Sequence, residues 1–219
     1  MPTKVVTVTN PSHDDATRYL NSWSDVVISS ARSQSAELDV YELKGDKVTK
    51  ENLTRLIKEK NPHLILFHGH GGSKIILGFE ANILIACDDN ESILSNRIIH
   101  SLSCDSGQVL GPRCVSIGSK AFVGYKKEFK FAHQGEKTDT LRYSDVLAGF
   151  FLRPAFEVDK ALLEGNSIEQ THQRSQKMYR ENLQMLLTSS DPTLNKTYAS
   201  GLYHDMINQV ALGDKNSSF

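Results

Sequence analysis

Two histidines separated by one glycine, His68 and His70, lie in the run "LILFHGHGG", and Cys104 closes the run "IIHSLSC" ahead of "DSG". A thiol and an imidazole together make a nucleophile and a general base. A free cysteine, with a pKa of ~8.5, is only a few per cent thiolate at neutral pH, so a neighbouring imidazole has a proton to remove. The glycines around the histidines suit the same chemistry. They let backbone amides turn toward an oxygen that becomes negative when a carbonyl is attacked.

Side chains so far apart in sequence meet only if the elements carrying them are neighbours. "KVVTVT" (4–9) reads as a strand and "HDDATRYLNSWSDVVISSARS" as a helix with Tyr19, Leu20, Trp23, Val26 and Val27 on one side. "AELDVYEL" (36–43) is a second strand, closed by Gly45, and Thr49 caps a helix carrying Leu53, Leu56 and Ile57. "HLILF" is a third strand, apolar throughout as in a parallel sheet buried on both faces. "KIILGF" and "NILIAC" form a small hairpin, "DDNESILSN" a short helix, "RIIHSLSC" a fourth strand, and "KAFVGY" a fifth after a glycine-bearing helix. This βαβ series predicts an α/β fold, a mostly parallel sheet flanked by helices. Ligands gather at the carboxyl edge of such a sheet, where the third strand ends in "FHGHGG" and the fourth in "SLSCDSG". Neighbouring strands lie ~4.8 Å apart, close enough for the two groups to meet over a substrate.

From Tyr143 to about Leu187 the pattern is helical, with Gly165 as a stop and Ser167 as the next N-cap. "DPTLNKTYASG" breaks it, a last helix falls near 200–211, and "GDKNSSF" reads as a frayed tail. With 219 residues and no linker or repeat, the expectation is one domain over 1–219, an α/β core to 142 and a mainly helical part over 143–212 covering the sheet. The hydrophobic share of 39% and a net charge of −1, its signs interspersed, argue against nucleic acid or an anionic membrane as partner. No apolar stretch approaches the ~18 residues that span a bilayer, and the start shows no signal region, so a cytoplasmic location is expected. Three cysteines without metal-ligand spacing read as free thiols.

Read in order, "LILFHGHGG", "IIHSLSCDSG" and "GSKAFVGY" resemble the caspase-like cysteine peptidases, the superfamily of gingipains, separases, clostripain and the CHAT peptidases. The resemblance covers roughly residues 60–126 well and the flanks only by element order. It implies a caspase-like three-layer sandwich with a small β-hairpin insertion, and endopeptidase activity through a His–Cys dyad without an obligatory third carboxylate. "GHG" follows the strand in gingipain-like and separase-like members, which makes His70 the base and His68 a packed residue or the alternative base. The oxyanion donors are then the amides of Gly71 and Cys104. The resemblance also implies a regulatory partner or sensor, in bacterial members often tied to stress or antiviral signalling.

Other readings compete. Strand parity alone does not separate His68 from His70. "HGH" could offer two imidazoles to zinc, but no third ligand stands at a recognisable spacing, so no metal and no cofactor are expected. A flavodoxin-like module using "FHGHGGS" as a phosphate loop lacks the lysine and the following helix. A catalytically idle scaffold is not favoured, since both dyad positions are filled. Cys87 and Cys114 read as structural, and His13, His63, His100, His133, His172 and His204 as surface or structural. Leu102, Asp105 and Lys126 are placed around the substrate pocket. Leu102 shares a strand face with Cys104 where caspase-like relatives that demand a charged residue before the cleaved bond often carry a polar or acidic side chain, which points to an apolar or small residue there. Lys126 and Lys127 are the groups that would favour an acidic one.

Overall fold

Alternation along the strands decides which layer each side chain joins. In the computed structural model, which describes residues 4–135, 137–190 and 196–219, the elements run β1 (Lys4–Asn10), α1 (Asp15–Gln34), β2 (Leu38–Lys44), α2 (Lys50–Lys60), β3 (Leu64–His68), β4 (Gly71–Gly72), β5 (Ile75–Leu77), β6 (Ile83–Ala86), β7 (Ile98–Leu102), α3 (Leu110–Ser116), β8 (Ala121–Tyr125), α4 (Asp139–Arg142), α5 (Val146–Leu163), α6 (Ile168–Thr188), α7 (Lys196–Asn208) and β9 (Gln209–Gly213). Val6, Val8, Leu64, Leu66 and Ile98 pack on one side with Ile28 of α1 and Val158 and Leu162 of α5. Ile65, Phe67, Ile99 and Phe122 pack on the other with Leu53 and Ile57 of α2 and Leu110 and Cys114 of α3. Each such fully buried side chain contributes roughly 1.5–3 kcal/mol. The result is a helix–sheet–helix sandwich.

The main sheet has the order β2-β1-β3-β7-β8-β9, parallel except for antiparallel β9 at one edge. β3 and β7 are parallel neighbours, paired from Leu64↔Ile98 to His68↔Leu102. His70 and Cys104 therefore each follow the last pair by two residues. The expected hairpin is a three-stranded antiparallel sheet, β4-β5-β6, because Gly71 and Gly72 pair with Ile76 and Ile75. Thr49 caps α2 by accepting from the Asn52 amide, Gly165 adopts φ +84° after α5, and Ser167 with Gln170 forms a capping box on α6.

Four expectations are corrected. Val26 is not on the buried stripe of α1; Tyr19, Leu20, Trp23 and Ile28 are, and Val26 faces solvent. "DDNESILSN" forms a single 3-10 turn, Glu91–Leu94, too short for an α-helix. The last helix begins at Lys196 and gives way to β9, which adds to the sheet beside β8; residues 191–195 of "DPTLNKTYASG" lie outside the described residues. Finally, "GDKNSSF" is packed. The carbonyls of Lys215 and Ser217 accept from Glu169 and Ile168, amides that the first turn of α6 leaves without helical partners. Phe219 is buried beside Val6 and Leu64, and Lys4 Nζ donates to its carbonyl at 2.7 Å. Among the described residues no helix is long and apolar enough to cross a membrane.

Candidate active site

Beyond β3 the chain changes direction at Gly69, whose φ of +156° and the Pro11 side chain 3.0 Å from a would-be Cβ favour glycine. The alternation that gives His68 and His70 the same parity stops there, and the two rings enter different surroundings.

His68 is buried. Its Nε2 lies 2.8 Å from Asp159 Oδ2 on α5, and its Nδ1 lies 2.9 Å from Asn10 Oδ1 at the end of β1, whose Nδ2 donates to Ser24. His100 approaches the other oxygen of the same carboxylate, Nδ1 to Oδ1, at 2.5 Å. Burial would raise the Asp159 pKa, yet the two imidazoles hold it well below the usual range, so the carboxylate is charged and both rings donate to it. Both nitrogens of His68 are engaged inside the protein, leaving none for a substrate.

His70 is about 40% exposed and holds its Nε2 2.6 Å from Asp14 Oδ2. Asp14 is the N-cap of α1: its Oδ1 accepts from the amide and hydroxyl of Thr17. Partial burial pushes this carboxyl up, but Thr17 and His70 outweigh it and hold it near a pKa of about 2. An ionised acceptor requires a protonated Nε2, so Nδ1 is the nitrogen with a lone pair to offer. Sequence reading missed Asp14 in this role. The cap itself was legible as Asp14 three residues before Thr17; its meeting with a histidine 56 residues away was not.

His70 and Cys104 line one cavity of about 500 Å³, with Ala16, Thr17, Leu20, Gly69, Leu102, Ser103 and the segment Glu128–Phe131 completing its walls. Cys104 has a thiol pKa raised by burial and by Glu128, Asp105 and Asp205, against one lowering hydrogen bond from the Phe129 backbone, so the resting group is a neutral thiol. Cys114 is fully buried in the core, its thiol pushed up to about 12, and Cys87 packs against the same cluster. Gly71 lies hard against the cysteine loop, since a Cβ there would stand 2.9 Å from Ser103 Cβ. That approach carries the Gly71 and Cys104 amides to the same end of the sheet.

Of the residues assigned to the substrate pocket, Leu102 is a wall, buried among Tyr19, Leu20, Trp23 and Tyr125. Asp105 and Lys126 do not line this cavity. Asp105 takes a left-handed φ of +55° in the turn after Cys104, its carbonyl accepting from Gln108, and Lys126 is exposed where β8 ends, its amide donating to Asn208. The chain returns to the cavity only at Glu128, and Glu128, Phe129, Lys130 and Phe131 are the wall that sequence reading did not identify. The buried carboxyl of Asp205 anchors it from behind by accepting from the Lys130 amide at 2.9 Å.

A mostly parallel sheet flanked by helices, with a histidine loop and a cysteine loop leaving adjacent strands at their carboxyl ends, is a caspase-like fold. Solved structures similar to this chain include the complex of Porphyromonas gingivalis RgpB pro- and mature domains, with a TM-score of 0.59 and 12% sequence identity over 97% of this chain and 47% of that one. A secreted C11 cysteine protease from Bacteroides thetaiotaomicron, iotapain, matches with a TM-score of 0.50 and 12% identity over 88% of this chain and 65% of that one. The chain thus spans about half the length of the first and just under two thirds of the second. The likeness is one of fold. No protein-family model matches the sequence, and no curated protein does either.

Proposed function

We propose that the protein is a cysteine endopeptidase in which His70 activates Cys104. The observation that carries this reading is the shared cavity of the two side chains, with His70 held by a charged Asp14 so that Nδ1 is left as the basic nitrogen. In the proposed reaction Nδ1 takes the thiol proton, the sulfur attacks the peptide carbonyl, and the amides of Gly71 and Cys104 receive the developing oxyanion. The imidazolium then protonates the leaving amine, and water hydrolyses the thioester. Asp14 keeps the ring in one tautomer and stabilises its charged form, a positioning role.

Leu20, Leu102, Phe129 and Phe131 line the cavity with apolar surface. A buried guanidinium or carboxylate set against such a wall without a partner would cost several kcal/mol, so the reading includes an apolar or small residue before the cleaved bond. Control by a partner or sensor protein belongs to the same proposal and rests on the resemblance alone. The test is to incubate the pure protein with a proteome and sequence the new chain ends, with Cys104→Ala as control. New ends that are lost with Cys104→Ala are expected; ends that persist in this variant would overturn the assignment.

A further inference from the structure

The hydrogen bond between His70 and Asp14 has a third participant. His13 places its Nε2 3.7 Å from the same Asp14 oxygen, and its ring meets that of His70 edge-on at 5.9 Å and that of Phe79 at 5.6 Å. One ligand atom from each of His13, Asp14 and His70 lies within 4.8 Å of the other two. Two imidazole nitrogens and a carboxylate oxygen are a donor set for zinc, which binds such atoms at about 2.0–2.2 Å and accepts three protein ligands with a fourth position open to water. Hard cations prefer sites made entirely of oxygen. The three side chains are partly open to solvent, at 16%, 42% and 40% exposure, so an ion can reach them. Drawing them onto a common centre needs side-chain movements of about an ångström at the bond lengths just given.

His68, His100 and Asp159 form a second cluster of suitable type. Their atoms already bond to one another at 2.5 and 2.8 Å, and all are buried. An ion there would have to break both of these buried hydrogen bonds to the Asp159 carboxylate, so the choice falls on the open cluster.

We propose that His13, Asp14 and His70 form a binding site for zinc or a similar divalent transition-metal ion, and that occupancy of this site switches the peptidase off. The binding stands on geometry alone; the inhibition rests on the reading of His70 as base. The chemistry of inhibition is specific. In the active form Nε2 carries the proton and donates to Asp14. When the Nε2 lone pair goes to the metal, that proton is released to solvent and the neutral ring takes another at Nδ1, with no net change in protons. Nδ1 then has no lone pair for the thiol, so inhibition follows without any metal–sulfur bond.

The test uses full-length Cys104→Ala protein, which removes the active-site thiol, titrated with cobalt(II) as a visible-absorbing probe and competed with zinc. A one-to-one d–d spectrum is expected, with affinity falling in His13→Ala by roughly 10–100-fold or more, the loss that even outer partners of a metal site cause. His13→Asn serves as a second variant should alanine perturb folding. In parallel, the ratio of cleavage rates without and with zinc is expected to be large in the wild type and to move toward one in His13→Ala. Equal cobalt affinity in Cys104→Ala protein with and without either His13 substitution would place the ion elsewhere, and no cobalt spectrum would overturn the site outright. Absence of cleavage would sink the peptidase reading while leaving the cobalt measurement to decide the metal site.

Discussion

Asp14 Oδ2 stands 2.6 Å from His70 Nε2, and the other oxygen of the same carboxylate caps α1 through Thr17. One side chain thus ties a helix start to the imidazole. The two roles separate on mutation. Asn is as good an N-cap as Asp, so Asp14→Asn should keep the cap and lose only the stabilised charge, about 1–2 kcal/mol of unfolding free energy at neutral pH once its partial exposure is allowed for. Turnover should fall by roughly 10²–10⁴-fold, because an amide neither fixes the tautomer nor stabilises the imidazolium as a carboxylate does. Steady-state kinetics beside urea unfolding checks both halves; unchanged turnover would remove Asp14 from the mechanism.

His68 and His70 should fail differently. Removing His68 deprives the buried Asp159 charge of one of its two partners, at a cost of roughly 3–5 kcal/mol if the loss resembles other broken buried pairs. His70→Ala should lower turnover by several orders of magnitude while leaving the melting temperature near the wild-type value. The reverse pattern would make His68 the base.

Gly71→Ala tests the oxyanion assignment. The added methyl meets Ser103 Cβ and Oγ at 2.9 Å and the Ile75 carbonyl at 3.0 Å, so the histidine loop and the cysteine loop must separate. A shift of that kind should reduce kcat by roughly 10²–10³-fold, the scale of losing one oxyanion donor, with a smaller change in KM. Cleavage at the wild-type rate would show that this amide does not serve the reaction.

Asp205 sets a pH dependence. Burial raises its carboxyl to a pKa of about 9, against the lowering effect of the Lys130 amide, from an ordinary value of 3.8. The folded state therefore binds a proton that the unfolded chain gives up. This contribution to stability is fully present below about pH 3.8, declines as pH rises, and levels off above about 9. Asp205→Asn should remove that slope and stabilise the protein at neutral pH by about 1–4 kcal/mol. Unfolding free energies measured from pH 5 to 9 check it; parallel curves for both proteins would contradict it.

A fluorogenic peptide library varied at the residue before the scissile bond addresses specificity. Preference for apolar or small side chains is the expected result. Strict cleavage after arginine or lysine would point to Glu128 at the cavity as a counter-charge and sink the apolar reading, while leaving the dyad standing.

The layers are written in the local pattern of the chain. Continuous apolar runs such as "HLILF" can be satisfied only when buried on both faces, so the parallel sheet and its helices follow from local pattern, as do the caps at Thr49 and Ser167. Cys104 and the histidine loop were legible for the same reason, since both sit where apolar runs stop. Tertiary structure decided what required distant partners. Gly69 ends the strand parity and sends His70 toward Asp14, while Asp159, 91 residues beyond His68, holds that ring in the core. The short run after α7 becomes a strand because β8 presents an open edge beside it, and the polar tail is ordered because the first amides of α6 need acceptors. The cavity walls at Glu128–Phe131 likewise depend on where the chain returns after β8. Periodicity reports which face of an element is buried, but a hydrogen bond between side chains tens of residues apart leaves no local trace until the chain has closed around it.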